Sequence, residues 1–447
     1  MRANYFLILV CCAILNFAYV NWANAVRCLP TGDYDKYDRK QNVEEEEKEN
    51  DDSLLVVERK RVVLKSNVPL KRFSDLSPDG KKSSDRRDEN SSVVKKRVLF
   101  GREIADYRDL EKNGKYLLED DYGYIRVIPN EAIVSVEDAP DLPLDELKES
   151  LQKDLLSEFG VRFSIKSSKR YILVYNSSDA YADWCLRLFE SLADGFEKFA
   201  KHNELNLKER VQPMVVVVFA TKAEFVQYAS NETPNADAVA AYYNMETNRV
   251  VLYDLSGVEG RRDMSAKRKN SYQEVKEFLS RPNAEFNVAT IVHEATHQIA
   301  FNLGLFQRSG PIALWTVEGL SLLFETPNGK ASQGGWGYRR VFPVNDRQLA
   351  FFKRFTSATT RKGALRELVA QERFMLDAQD SYATSWAFFY YLYKKRPKNL
   401  AGYLNAVAEK PAGSVYTPEE RVQDFEKFFG DDWEKITESL MRFVRKL

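Results

Sequence analysis

Histidine is scarce in this 447-residue chain, occurring only at positions 202, 293 and 297. Any regular spacing among so few is therefore informative. Cysteine is also thin: of four, Cys11 and Cys12 lie in the N-terminal apolar run, which leaves Cys28 and Cys185. Two cysteines exclude a multi-disulfide framework. They could pair, but Cys185 beside Trp184 in an amphipathic helix reads as a core thiol, and Cys28 as an idle one before a charged tail. Neither sign of charge is in excess, with 66 Lys and Arg against 66 Asp and Glu. The chain as a whole generates no strong field, so nucleic acid is not expected as a partner.

What is present begins with the features of an export signal. Arg2 supplies a positive start, residues 5–20 are nearly all apolar, and Ala23-Asn24-Ala25 offers small residues for cleavage. A signal peptide over 1–25 is expected, giving a secreted or periplasmic protein with no stable membrane insertion once it is removed. Asn16, Asn21 and Asn24 interrupt the run and argue against a retained anchor of roughly 20 apolar residues.

Residues 26–98 carry charge runs such as Glu44 to Glu47 and Arg59-Lys60-Arg61 with few aromatics, and read as a mostly disordered linker. Residues 99–140 read as a small β module, with β-prone pieces at 115–118 and 124–128 between Asp and Gly turn signals. A denser domain then fills 141–447. Helices are expected over 144–159 and 180–201, strands over 170–175 and 214–219, and a β-hairpin from 238 to 255 around Asn244 to Asn248. The remainder is mainly helical. Mixed strands followed by a run of helices give an α+β fold.

Just past the hairpin, Asn287 is placed to cap a helix that Gly304 ends, and it carries His293-Glu294-Ala295-Thr296-His297. Histidines at i and i+4 share a helix face, so their imidazoles can converge on one cation. Glu294 is offset around the helix, which suits a group that addresses a water at the metal. An open catalytic site needs a third protein ligand. A histidine six residues beyond His297 would serve, but that position is Leu303, and His202 lies at the polar end of an earlier helix beside Lys201 and Asn203.

Carboxylates remain, and the apolar stretch Leu314 to Glu325 holds two. A glutamate among Trp315, Val317, Leu320 and Leu322 is costly to bury unless paired or metal-bound. Seven helical residues put Glu318 and Glu325 roughly 10.5 Å apart along the axis, too far to share one ion. Glu318 is taken as the third ligand, and Glu325 as a carboxylate that orients a ligand histidine.

The HEATH helix followed by Trp315-Thr316-Val317-Glu318-Gly319-Leu320-Ser321-Leu322-Leu323-Phe324-Glu325 resembles the gluzincins, and most closely a branch of exported bacterial metallopeptidases. The resemblance extends more loosely from about Tyr171 and over Ser381 to Trp386. It departs from the thermolysin pattern at Leu322, where an aspartate supporting a ligand histidine would stand. The resemblance implies a zincin-like catalytic domain, Zn2+ as cofactor and a peptide or protein substrate. It also implies an oxyanion donor from the downstream helices, for which Tyr382 is the candidate. Two other readings fit the same residues: a non-catalytic exported zinc-containing scaffold or peptide-binding protein, and a zinc hydrolase of non-peptide amides or esters.

Overall fold

The computed structural model describes residues 59–65, 71–72, 97–106, 115–140, 142–208, 212–233, 236–256, 272–328, 336–354, 362–371, 378–412, 414 and 416–447. The expected signal peptide, Cys28 and most of the expected linker lie outside them. Among the described residues no helix is long and apolar enough to cross a membrane.

Two sheets precede a run of helices, the α+β arrangement expected from the order of patterns. The first sheet has six strands in the order β2-β5-β4-β3-β1-β6, all antiparallel. They are β1 (Arg59–Leu64), β2 (Lys71–Arg72), β3 (Arg97–Asp106), β4 (Lys115–Asp120), β5 (Ile125–Pro129) and β6 (Ile133–Ala139). The β module thus starts well before residue 99, and part of the stretch read as linker is strand. Its charges find partners: across the ladder Lys60 opposes and bonds Asp138 and Arg61 opposes and bonds Glu137, while Arg59 binds Asp121 just past the end of β4. Val62 and Leu64, 0% and 1% exposed, then drop into the module's core with Tyr116, Leu118 and Ile128.

The second sheet has the order β10-β11-β9-β8-β7, from β7 (Ser164–Ser167), β8 (Tyr171–Tyr175), β9 (Met214–Phe219), β10 (Ala241–Asn244) and β11 (Arg249–Tyr253). Its centre, β8-β9-β11, is parallel and its edges are antiparallel. A central parallel strand is buried on both faces, which explains the unbroken apolar run Met214 to Phe219. Alternation divides it: Val216 and Val218 face one core with helices α2 (Asp179–His202) and α5 (Pro282–Asn302), while Val215 and Val217 face another with α1 (Leu144–Phe159) and α3 (Lys222–Ala229). Cys185 lies in the first core as a buried free thiol.

Helix α4 (Tyr272–Leu279) leads into α5, which begins at Pro282 and not at the expected cap Asn287. Proline suits the first turn because its missing N–H would go unsatisfied there anyway. Gly304, at φ 70, follows the helix end as expected.

Beyond it come α6 (Leu314–Phe324), α7 (Asp346–Arg354), α8 (Ala364–Ala370), α9 (Ala378–Lys395), α10 (Pro397–Ala408), α11 (Pro418–Phe429) and α12 (Trp433–Val444). Every residue of α6 is buried, the mark of a helix that is packed on all sides. Trp315 packs on Phe388, Tyr403 and Phe425. Gly319 lets α9 close on α6, since a Cβ there would stand 2.6 Å from the Phe389 Cβ and 2.9 Å from the Ser385 carbonyl oxygen. Gly319→Ala is therefore expected to destabilise the protein by about 1–3 kcal/mol through overpacking, read as a lower midpoint in urea unfolding. An unchanged midpoint would mean that the two helices can separate freely.

Candidate metal centre

Helix α5 is fastened to the second sheet beside the histidines. Gln298, fully buried, donates through its Nε2 to the Val215 carbonyl at 2.9 Å and to the Asn248 carbonyl at 2.8 Å. These bonds fix the rotation of α5, so His293 and His297, one turn apart, face α6. Their rings lie edge to face with centroids 4.5 Å apart.

Glu318 of α6 completes the group. Its Oε2 stands 3.2 Å from His293 Nε2 and 3.7 Å from His297 Nε2. One ligand atom from each of the three residues lies within 4.8 Å of the others, and all three are buried. The structure therefore brings together the expected ligands as a group that can hold a metal ion.

Each imidazole is also held from behind. His293 Nδ1 lies 2.8 Å from Glu325 Oε1, and Glu325 in turn binds Arg347. His297 Nδ1 lies 3.0 Å from Ser321 Oγ. With both Nδ1 atoms occupied, both Nε2 atoms are directed at the shared carboxylate, the arrangement that fixes tautomer and ring orientation at metal sites. Glu325 thus takes the orienting place expected for it, and it does so from the position that closes α6. Ser321 and Arg347 were not legible as site residues. Ser321 carries a weak signal, being a hydroxyl one turn from Glu318 on an apolar helix, whereas Arg347 carries none.

The electrostatics favour a cation at the centre. Burial pushes the Glu318 carboxyl up, but the charge of His297 and hydrogen bonds from both histidines outweigh it and hold it at about 2. Burial draws His293 down, yet hydrogen bonds to Glu318 and Glu325 and the charges of Glu325 and Glu294 raise it well above the ordinary imidazole value. With Glu325 paired to Arg347, Glu318 and Glu294 beside two imidazoles leave negative charge that a proton or a metal ion can satisfy.

Glu294, 2% exposed, accepts the Tyr243 backbone N–H at 2.8 Å through Oε2. Tyr243 belongs to β10, the outer strand of the second sheet. The hairpin expected upstream of the histidines thus touches the glutamate between them, a contact that spacing did not reveal. Tyr382 lies in the first turns of α9, which packs on α6. It is 3% exposed, and burial pushes its phenol up. His202 is exposed, with its ring against Tyr338, as its polar neighbours suggested.

A family described as "Protein of unknown function (DUF1570)" matches residues 287–412. The matched span takes in His293, Glu294, His297, Glu318, Glu325 and Tyr382. A search among curated proteins gives no match.

The geometry makes Glu318 and Glu325 unequal. Glu318→Ala should abolish most metal binding, while Glu325→Ala, which removes only an orienting partner, should weaken it by about 10–100-fold. Metal titration of the apoprotein checks the order, and the reverse order would exchange their roles.

Proposed function

We propose that the chain is an exported zinc-dependent peptidase of the gluzincin type, with a zincin-like catalytic domain and a peptide or protein substrate. The observation that carries this reading is the position of Glu294. It shares a helix with the two imidazoles, stands outside the group that can hold the ion, and is held against the sheet edge by the Tyr243 N–H. A purely structural metal site has no use for such a carboxylate.

The donor set suits zinc. Two imidazole nitrogens and one carboxylate oxygen are the ligands of open catalytic zinc sites, and ligand atoms about 2.1 Å from a tetrahedral centre stand roughly 3.4 Å apart. The separations of 3.2 Å and 3.7 Å bracket that spacing. Bound there, zinc would polarise a carbonyl and lower the pKa of a water from about 15.7 towards about 7.

The chain's own residues do the rest. Glu294 accepts the proton of the attacking water and passes it to the departing amine. The Tyr382 hydroxyl donates to the carbonyl oxygen as negative charge develops on it. A phenol is protonated at neutral pH and so able to donate.

Glu294→Gln is expected to retain metal and lose about 10²–10⁴-fold in turnover of a diverse peptide pool, because an amide cannot take the proton. Unchanged turnover removes Glu294 as the base. Metal-loaded wild type that cleaves only small esters or non-peptide amides moves the substrate to that class, and wild type inert to all of them returns the chain to a scaffold role. Tyr382→Phe should keep fold and metal and lower kcat by about 10²–10³. KM should change little, since that hydrogen bond strengthens in the transition state. Wild-type kcat in this variant would assign Tyr382 to packing alone.

A further inference from the structure

We infer that a basic corner where the C-terminal ends of α2, α9 and α12 meet is a docking surface for bilayers rich in anionic phospholipid. The inference is independent of the metal centre's chemistry. The chain is neutral overall, so a local concentration of one sign needs an account of its own.

Helix α9 ends in Lys394 and Lys395, and exposed Arg396 and Lys398 follow. Helix α12 lies alongside: Phe443 stands 5.6 Å from Tyr391 and 5.7 Å from the Lys395 ammonium. Its end therefore adds Arg442, Arg445 and Lys446, all exposed. A loop contributes Arg339 and Arg340, also exposed. The neighbouring rings place this loop, with Tyr338 5.1 Å from Phe342 and Phe342 6.0 Å from Tyr393. His202, at the end of α2, is 6.1 Å from Tyr338. Exposed Glu204 and Glu438, the latter 3.8 Å from Arg442, offset only part of this charge. Burial and repulsion from Lys395 both hold the Lys394 ammonium below its usual range.

Cations in a last helical turn offset the helix dipole, and that explains Lys394, Lys395 and Arg442. It does not explain Arg339 and Arg340 on a loop.

The side chains among the cations point to lipid. Single-stranded nucleic acid is held by aromatic faces open for stacking, but Tyr338 and Tyr393 beneath the corner are 5% and 8% exposed. What stands out instead is aliphatic: Val341, next to Arg340, is 53% exposed. An aliphatic tip beside cations suits the boundary between headgroups and acyl chains. Each cation held near an anionic surface strengthens binding about fivefold, an effect that salt screens within about a Debye length.

The test is co-sedimentation of the chain from Val26 onward, without the expected signal peptide, with vesicles of phosphatidylglycerol and phosphatidylcholine, against vesicles of phosphatidylcholine alone. Binding is expected only to the former and should fall as salt rises. The doubly substituted Arg339→Gln, Arg340→Gln protein should bind about 25-fold more weakly, with an unchanged urea-unfolding midpoint as the check on folding. Val341→Ser should weaken vesicle binding while leaving any binding to heparin unaltered. Absence of vesicle binding, equal binding to both vesicle types, or full binding by the double variant would overturn the inference. Binding to heparin or duplex DNA without binding to vesicles would reassign the corner to a polyanion.

Discussion

A carboxylate with no access to solvent must be neutralised where it lies, and the structure around Glu318 follows from that requirement. The side chain is 0% exposed on a helix whose every other residue is also buried. Burying an unpaired carboxylate costs several kcal/mol. The two imidazoles of α5 offset that cost, and they can do so only if α5 and α6 are held in one relative rotation. Gln298 sets α5 against the sheet, and the missing side chain at Gly319 brings α9 close behind α6. The same contacts that seal the apolar helix also aim its one interior charge.

The orienting groups extend the requirement outward. Glu325 is buried as well, and it is satisfied on one side by His293 and on the other by Arg347, whose guanidinium lies over the Phe286 ring of α5. This forms a line from the start of α7 through the end of α6 to the middle of α5. Leu322, 0% exposed, packs in the core beside it.

The six-stranded sheet bears on the same centre from the other direction. Arg308, 8% exposed, binds Glu119 of β4 and donates to the carbonyls of Gly123 at 2.8 Å and Met245 at 3.0 Å. Ile125 of β5 donates its N–H to the Glu246 carbonyl at 3.1 Å. Met245 and Glu246 lie in the turn between β10 and β11, and β10 carries the amide that holds Glu294. The N-terminal sheet thus braces the hairpin that positions the central glutamate. This gives a physical reason for charge-rich segments such as β1 to be folded: without Val62 and Leu64 the module loses part of its core.

Periodicity and local chemistry were enough for several features. The 3.6-residue spacing of apolar side chains marked α1 and α2, and the unbroken valine run marked β9, because a strand buried on both faces has no polar face to show. The i, i+4 histidines and the lone carboxylates of an apolar helix pointed to the ligand group, since helical geometry alone decides which side chains share a face. Contacts between residues distant in sequence were not legible. Tyr243 meets Glu294 and Arg347 meets Glu325 only because sheet pairing and helix packing bring separate segments together, and β1 is a strand because it pairs with both β3 and β6 and buries Val62 and Leu64. The candidate metal-binding group was thus legible from the helical spacing of His293 and His297 and from a carboxylate on an apolar helix, while its orientation and support were settled by tertiary contacts, because a backbone amide or a cross-strand charge acquires a partner only when the chain closes on itself.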